Sequence, residues 1–195
     1  IFVNENLNYV QSDQLTAWIK KYFGNTTLLS IEGFLKSYSN YPVSILDEIS
    51  LANKGAGFEV LGNEEVESSG KGRSYGLELL YQQKLSNNFY GLVSYTYFFS
   101  QFSGLDPNIY RRSTWDSSHL ASFTGGYKLN KNWEISSRFR YNGKTPYAPI
   151  DETLSLANYP DLRLDYDLLG NENYLLDPFS QLDLRIDKKW NFTSS

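Results

Sequence analysis

Hydrophobic and polar residues alternate at every second position in several parts of the chain. The clearest case is the segment 133–142, where Trp133, Ile135 and Phe139 alternate with Glu134 and Arg138. This period of two is typical of a β-strand with one apolar and one polar face. Six further segments show it, at about residues 7–20, 28–38, 74–82, 89–102, 119–129 and 181–190. No convincing helical period is present, so the sequence predicts an all-β chain of about seven strands.

The connections between these segments are alternately short and long. Short polar turns are predicted near residues 23–26, 86–88 and 130–132, and long loops at about 42–73, 103–118 and 143–178. In an antiparallel meander, all short turns then lie at one end and all long loops at the other. Long loops are uncommon in compact soluble domains, whereas outer-membrane barrels combine short turns, long outer loops and strands that are apolar outside and polar inside. We predict an antiparallel up-and-down transmembrane β-barrel. The alternative is a sandwich of two antiparallel sheets whose apolar faces meet.

Composition and charge exclude several classes of protein. The 195 residues carry a net charge of −4 and include no Cys and no Met. Disulfides and thiolate metal sites are therefore excluded, and no basic stripe suggests a nucleic-acid surface. No apolar run is long enough for a transmembrane helix, and no signal peptide is visible. Because even position 1 lacks Met, we expect that the chain need not begin where its gene begins.

Candidate catalytic and metal-binding groups are few. His119 is the only His, and with no evident nucleophile or metal cluster the sequence predicts a protein that is not an enzyme. We expect His119 to be an ordinary residue at a strand start. Carboxylates crowd the segment 151–177 and could hold Ca²⁺, but their spacing matches no twelve-residue calcium loop. A solvated surface is the favoured interpretation, so no cofactor is predicted.

A candidate ligand-binding group lies in the second long loop. Tyr110, Arg111, Arg112 and Trp115 combine aromatic stacking faces with fixed hydrogen-bond donors. This combination suits an external capture surface for sugar or peptide. The competing and more favoured role for these residues is packing of the loop or of an aromatic girdle.

Three longer segments resemble a known family. The segment GKGRSYGLELLYQQKLSNNFYGLVSYTYFFSQFSG, from Gly70 to Gly104, places a G-x-E strand before an aromatic Y-T-Y strand. Residues 119–149 and 179–192 follow in the order of a further hairpin and a strand near the end of a barrel. Together they resemble the barrel of TonB-dependent outer-membrane receptors, and among these the Bacteroidetes type.

The resemblance implies a part of a larger protein. Such receptors have 22 strands around a plug domain, so we expect a C-terminal portion of the barrel without plug or final strands. The implied role is import of a scarce nutrient through the outer membrane of a Gram-negative bacterium. The implied partners are membrane lipid, the protein's own plug and remaining strands, TonB through the missing N-terminal part, and a surface lipoprotein. The alternative is a soluble all-β carbohydrate-binding module.

Within such a barrel, charged residues on the polar face would line the interior. Glu134, Arg138 and Arg140 occupy alternate positions of one predicted strand. Interior charges need partners, so the resemblance implies contact with plug carboxylates or, less favoured, with an anionic substrate.

Overall fold

The chain folds into one antiparallel β-sheet. The computed structural model describes residues 4–54, 61–130 and 132–190. The strands are β1 (Gln11–Phe23), β2 (Thr27–Ser44), β3 (Val66–Ser86), β4 (Phe89–Ser103), β5 (Tyr110–Arg112), β6 (His119–Lys128), β7 (Trp133–Asn142) and β8 (Phe179–Lys188). The sheet order is β1-β2-β3-β4-β6-β7-β8, an up-and-down meander. The all-β, antiparallel prediction is confirmed.

The eighth strand is a short addition to the seven that the alternation predicted. β5 has only three residues and pairs with the loop end of β4, at Gln101–Ser103. β6 pairs with the other part of β4, from Phe89 to Tyr97. The two strands thus share one edge of β4. Three residues are too few to show a period, so the sequence alone predicts a loop at this position.

Tight turns close the hairpins at one end of the sheet. Asn87 and Asn88 join β3 to β4, and their φ angles of 47° and 70° are both positive. Two central residues with positive φ are the mark of the type I′ hairpin turn, which suits the twist of the flanking strands. Gly24, with φ of 59°, follows β1 directly. The predicted turn at 130–132 includes Lys131, which lies outside the described residues.

β2 and β3 extend further toward the long loops than the alternation indicated. β2 continues to Ser44 and β3 begins at Val66, so the connection spans residues 45–65 instead of about 42–73. Gly70 and Gly72 interrupt the pattern of side chains in this part of β3. At Gly72 a Cβ would lie 2.3 Å from the ring of Phe102 on the paired strand, so glycine lets that ring cover the backbone. The strand therefore continues where its side-chain signal is lost.

The long loops contain short helices that the sequence did not reveal. α1 (Glu152–Ala157) begins where the Asp151 carboxylate accepts a hydrogen bond from the amide of Leu154. Two 3₁₀ turns lie at Leu51–Asn53 and Tyr166–Leu168. Among the described residues, no helix has the length and apolar character to cross a membrane.

The most buried part of the chain lies at the long-loop end of the sheet. The buried apolar side chains are Val43, Ile49, Ala52, Val66, Phe102 and Leu169, and buried polar residues such as Ser44, Ser103 and Asp116 lie with them at strand ends and in loops. The side chains along the middle of the strands are mostly exposed or half-buried. The loops therefore have a small core of their own.

Candidate membrane-facing surface and loop cluster

The two faces of the sheet differ sharply in polarity. One face carries large apolar side chains that nothing in the described part of the chain covers. These exposed side chains include Leu15, Ile19, Ile31, Leu35, Leu77, Leu79, Tyr95, Tyr97, Ile135, Leu182, Leu184 and Ile186. The other face carries most of the charged side chains of the strands, such as Glu32, Glu78 and Arg138. This division follows from the two-residue period of a strand.

The apolar residues form a band that crosses the strands obliquely. On β2 the band lies between Thr27 and Ser37, with its centre at position 32. The pairing of successive strands places position 32 opposite position 179 of β8. On β8, however, the band is centred at Leu184, between Ser180 and Lys188. From β2 to β8, which are five strand spacings apart, the centre of the apolar band therefore moves five residues toward the short turns.

This displacement gives the angle between the band and the hydrogen-bonded rows. With a rise of about 3.3 Å per residue and strands about 4.8 Å apart, the angle is about 35°. Measured at right angles to its own long direction, the apolar band is then roughly 22–27 Å wide. Strands of membrane barrels tilt by about 35–45° and carry an apolar band about 25 Å tall. The dimensions and angle of the apolar band therefore match those of the lipid-facing band on a barrel with tilted strands.

Aromatic side chains mark both borders of the apolar band. Toward the long loops, Tyr97 contacts Phe99 and His119 with ring centroids 5.1 and 4.8 Å apart, and Phe99 also contacts Tyr75 at 5.3 Å. His119 is the first residue of β6, as expected. The residues at the short-turn border are Phe89, Tyr127 and Trp133. Two such girdles are typical of barrel proteins at the membrane interfaces.

The predicted interior residues share the polar face of β7. The hydroxyl of Tyr90 donates to Glu134 at 2.6 Å, and Arg140 donates to the amide oxygen of Gln181 at 2.5 Å. Arg138 is exposed and pairs in register with Asp183 of β8. Neighbouring strands thus partly satisfy Glu134 and Arg140, while the side chain of Arg138 is exposed.

A pair of glutamates on the polar face was not identified from the sequence. Glu32 of β2 and Glu78 of β3 are directly opposed. Like charges in this position destabilise a strand pair unless a cation lies near them. Each residue occupies a polar position in its own alternation, but only the register of two strands far apart in sequence brings them together. Their juxtaposition indicates that the polar face faces water or a charged partner.

The predicted ligand-binding residues do not form one surface. Tyr110 packs against Arg73, whose guanidinium lies 4.4 Å from the ring centroid. Arg111 forms an ion pair with Asp167 of the third long loop. Trp115 is exposed over 68% of its surface. Of the four, Trp115 alone is exposed, while Tyr110, Arg111 and Arg112 are partly buried.

Arg112 has a structural role in the loop. Its guanidinium donates to the carboxylate of Asp116 at 3.3 Å and to the hydroxyl of Ser118 at 2.9 Å. Asp116 is fully buried and also accepts from the backbone amides of Ser100 and Ser118, each at 3.0 Å. The carboxylate therefore fills the gap between β5 and β6 along β4. A buried aspartate in a loop has no periodic signal, so sequence analysis missed it.

A network of ion pairs joins the first and third long loops. The Lys54 ammonium lies 2.5 Å from carboxylate oxygens of both Asp47 and Glu64. Arg163 reaches Asp47 across 116 positions of sequence, at 2.8 Å. These side chains are mostly buried, so each charge depends on its partners. Their separation in sequence kept this group out of the prediction.

A cavity of about 490 Å³ lies among the three loops. Its walls include Ile109, Arg111, Leu154, Arg163 and Tyr166, together with several carboxylates. Two of the acidic residues in the segment 151–177 cap local structure, because Asp151 begins α1 and Asp165 begins the second 3₁₀ turn. In the part of the chain that the structure describes, no group of three potential ligands is arranged to hold a metal ion.

Comparison with known proteins supports the fold. No family model and no curated protein matches the chain. A chain in the structure of the FpvAI–pyocin S2 complex matches over 92% of this chain, with a TM-score of 0.64 and 15% identity. The ferripyoverdine receptor of the outer membrane of Pseudomonas aeruginosa, bound to ferripyoverdine, matches over 90%, with a TM-score of 0.60 and 15% identity. The pyoverdine outer membrane receptor FpvA from Pseudomonas aeruginosa PAO1, bound to pyoverdine, matches over 92%, with a TM-score of 0.63 and 14% identity.

The match covers a small part of each solved chain. This chain spans 22%, 21% and 23% of the three, about a fifth of their length. Since identity is low, the likeness concerns the fold alone. The sheet of this protein has the fold of a segment of the β-barrel wall in these outer-membrane receptors.

Proposed function

We propose that this chain forms part of the barrel wall of a TonB-dependent receptor in the outer membrane of a Gram-negative bacterium. The receptor would import a scarce nutrient, and its remaining strands and plug domain would complete the barrel. The oblique apolar band with aromatic borders is the observation that carries the proposal. A sheet with this band, matched in fold to the wall of outer-membrane receptors, suits a lipid-facing surface.

The polar face would line the interior. Arg138 is exposed on this face and lies in register with Asp183 of β8. Glu32 and Glu78 oppose each other on β2 and β3. A plug domain with complementary charges would satisfy all three, because unpaired charges inside a protein are costly. We therefore assign Glu134, Arg138 and Arg140 to contact with the plug. This assignment applies also to a Bacteroidetes type receptor, whose surface lipoprotein would bind at the long-loop end.

The long loops would lie outside the cell and contribute to substrate capture. Arg111 and Trp115 are the members of the predicted binding group that suit this role, since one lines the loop cavity and the other is exposed. Tyr110 and Arg112 support them through Arg73 and Asp116. The ion pairs between loops would hold the capture surface in one arrangement before a substrate arrives.

A soluble carbohydrate-binding module is the competing function. A sandwich of that kind buries one face of each sheet against a second sheet. Among the described residues all eight strands belong to one sheet, and the apolar face has no covering layer. The barrel wall accounts for this exposed face, whereas the sandwich does not.

Labelling of intact cells tests the proposed orientation. Single cysteines are placed at Asn108 and Asn158 in the long loops and at Asn25 and Asn87 in the short turns of the full-length protein. An impermeant thiol reagent should label only the first pair on whole cells and both pairs after lysis. Labelling of both pairs on intact cells would contradict the topology. A protein that stays soluble and monomeric without detergent would refute the barrel itself.

A further inference from the structure

The apolar face carries an unusual pair of cations just above its loop-side aromatic border. Lys71 and Arg73 occupy successive outward positions of β3, and Tyr75 of the border follows at the next outward position. All three side chains are exposed. On the same face, the outward positions next to Arg73 are Ser37 on β2 and Gln101 on β4, both uncharged.

Neighbouring side chains hold Arg73 in a fixed orientation. Its Nε donates to the amide oxygen of Gln101 at 2.8 Å. The Tyr110 ring lies against the guanidinium, with 4.4 Å between the ring centroid and the guanidinium carbon. These contacts use one N–H group and one face, which leaves the terminal N–H groups available for an outside acceptor. The fork of an arginine suits the oxygens of a phosphate.

The position of Lys71 and Arg73 relative to the apolar band indicates which part of a membrane they would contact. Arg73 lies one outward position beyond the band on its strand, and Lys71 lies two. On a barrel wall these positions reach the headgroups of the leaflet on the long-loop side. That leaflet in Gram-negative outer membranes is built from phosphorylated glycolipid. Asp13 lies in the same row as Arg73 but two strands away, roughly 10 Å distant.

We propose that Lys71 and Arg73 form a binding site for a phosphate group of an outer-leaflet glycolipid. The proposal rests on the proposed function, because it needs the long loops outside and the apolar face in lipid. Tyr75 and Tyr110 flank the phosphate, Arg73 binds it through two N–H groups, and Lys71 adds a second positive charge. A cation near an anionic lipid surface raises affinity about fivefold, so the pair should contribute roughly thirtyfold.

Lipid binding to the full-length protein in detergent tests the site. The probes are phosphorylated lipid A, the same lipid after removal of its phosphates, and inorganic phosphate. Dissociation constants come from thermal-shift titration, and native mass spectrometry counts bound lipid. We expect phosphorylated lipid A to bind and to raise the melting temperature. The variant Lys71→Gln/Arg73→Gln should bind it roughly thirtyfold more weakly.

A matched variant controls for the loss of charge. Lys21→Gln/Lys188→Gln removes two cations from the same face near the short-turn border, and its affinity for lipid A should equal that of the wild type. Equal binding of the dephosphorylated lipid, equal stabilisation by inorganic phosphate, or equal weakening in the control would each overturn the proposal. If the full-length protein gave any of these results but still formed a heat-modifiable barrel, the proposed function would stand and only the lipid site would be refuted. If the full-length protein stayed soluble without detergent, the proposed function itself would be refuted.

Discussion

Arginine substitutions at four outward positions test whether the apolar band crosses the strands obliquely. Ile31 of β2 and Ser180 of β8 lie in one hydrogen-bonded row of the sheet, and Thr27 and Leu184 lie in another. If the apolar band ran parallel to the rows, an arginine substitution would have the same cost at both positions of a row. An oblique band places Ile31 and Leu184 near its centre and puts the other two at its borders.

The expected effects follow from depth in the membrane. Thr27 and Ser180 lie about 11–14 Å from the centre of the band, measured perpendicular to it. Arginine facing lipid costs about 2–4 kcal/mol at the midplane and about 0–1 kcal/mol near an interface. Ile31→Arg and Leu184→Arg should therefore destabilise the barrel by about 2–4 kcal/mol, while Thr27→Arg and Ser180→Arg should cost less than about 1 kcal/mol.

The assay measures the assembled fraction of the full-length protein. Heat-modifiable migration in gels separates folded from unfolded barrel, and urea titration of reconstituted protein gives the free energy of unfolding. Tyr95→Arg and Thr96→Arg provide a control for the choice of face, because these neighbours lie on opposite sides of β4 near mid-depth. Only Tyr95→Arg should be costly. Equal costs within each row, such as Ser180→Arg matching Ile31→Arg, would refute the oblique band and with it the lipid-facing assignment.

Three further substitutions test local features of the structure. Asp116→Ala should destabilise the loop cluster by about 3–5 kcal/mol, since it leaves the charge of Arg112 without its buried partner; limited proteolysis should then cut the loops while the barrel stays heat-modifiable. Gly72→Val should cost about 1–3 kcal/mol by overpacking against Phe102, and adding Phe102→Ala should recover part of that loss in urea titration. Asn88→Gly should leave stability unchanged or higher, whereas Asn88→Ala should lower it by about 1 kcal/mol, because φ at this position is 70°.

The strands that cross the middle of the sheet could be predicted because one repeated signal defines them. The alternation predicts β7 with the bounds that the structure has, Trp133–Asn142, since each of its faces has a consistent polarity. The same signal fails at the loop ends of β2 and β3, where glycines and serines replace apolar side chains. There the strands are held by backbone pairing and by Phe102 covering Gly72. Such contacts depend on the partner strand and leave no period in the sequence.

The loop cluster shows a different limit of sequence analysis. The sequence analysis assigned Arg111 and Arg112 the same role in one candidate binding group. Their carboxylate partners separate them, because Asp116 is only four positions from Arg112 and fully buried, while Asp167 lies in another loop and is exposed. The role of an arginine depends on the burial of its partner, and burial in loops has no signature in sequence spacing.

The two regions of this protein depend on different sources of stability. The strands have little buried side-chain surface of their own, so in a membrane their stability comes from lipid around the apolar face and from hydrogen bonds between neighbours. The loops instead bury apolar side chains such as Ile49 and Leu169, and they join through Lys54 and Arg163 to shared carboxylates. Under the proposed function, substitutions that break the loop ion pairs should therefore alter substrate capture without preventing assembly of the barrel. Substitutions at the centre of the apolar band should instead destabilise the barrel as a whole and, with it, the support of the loops.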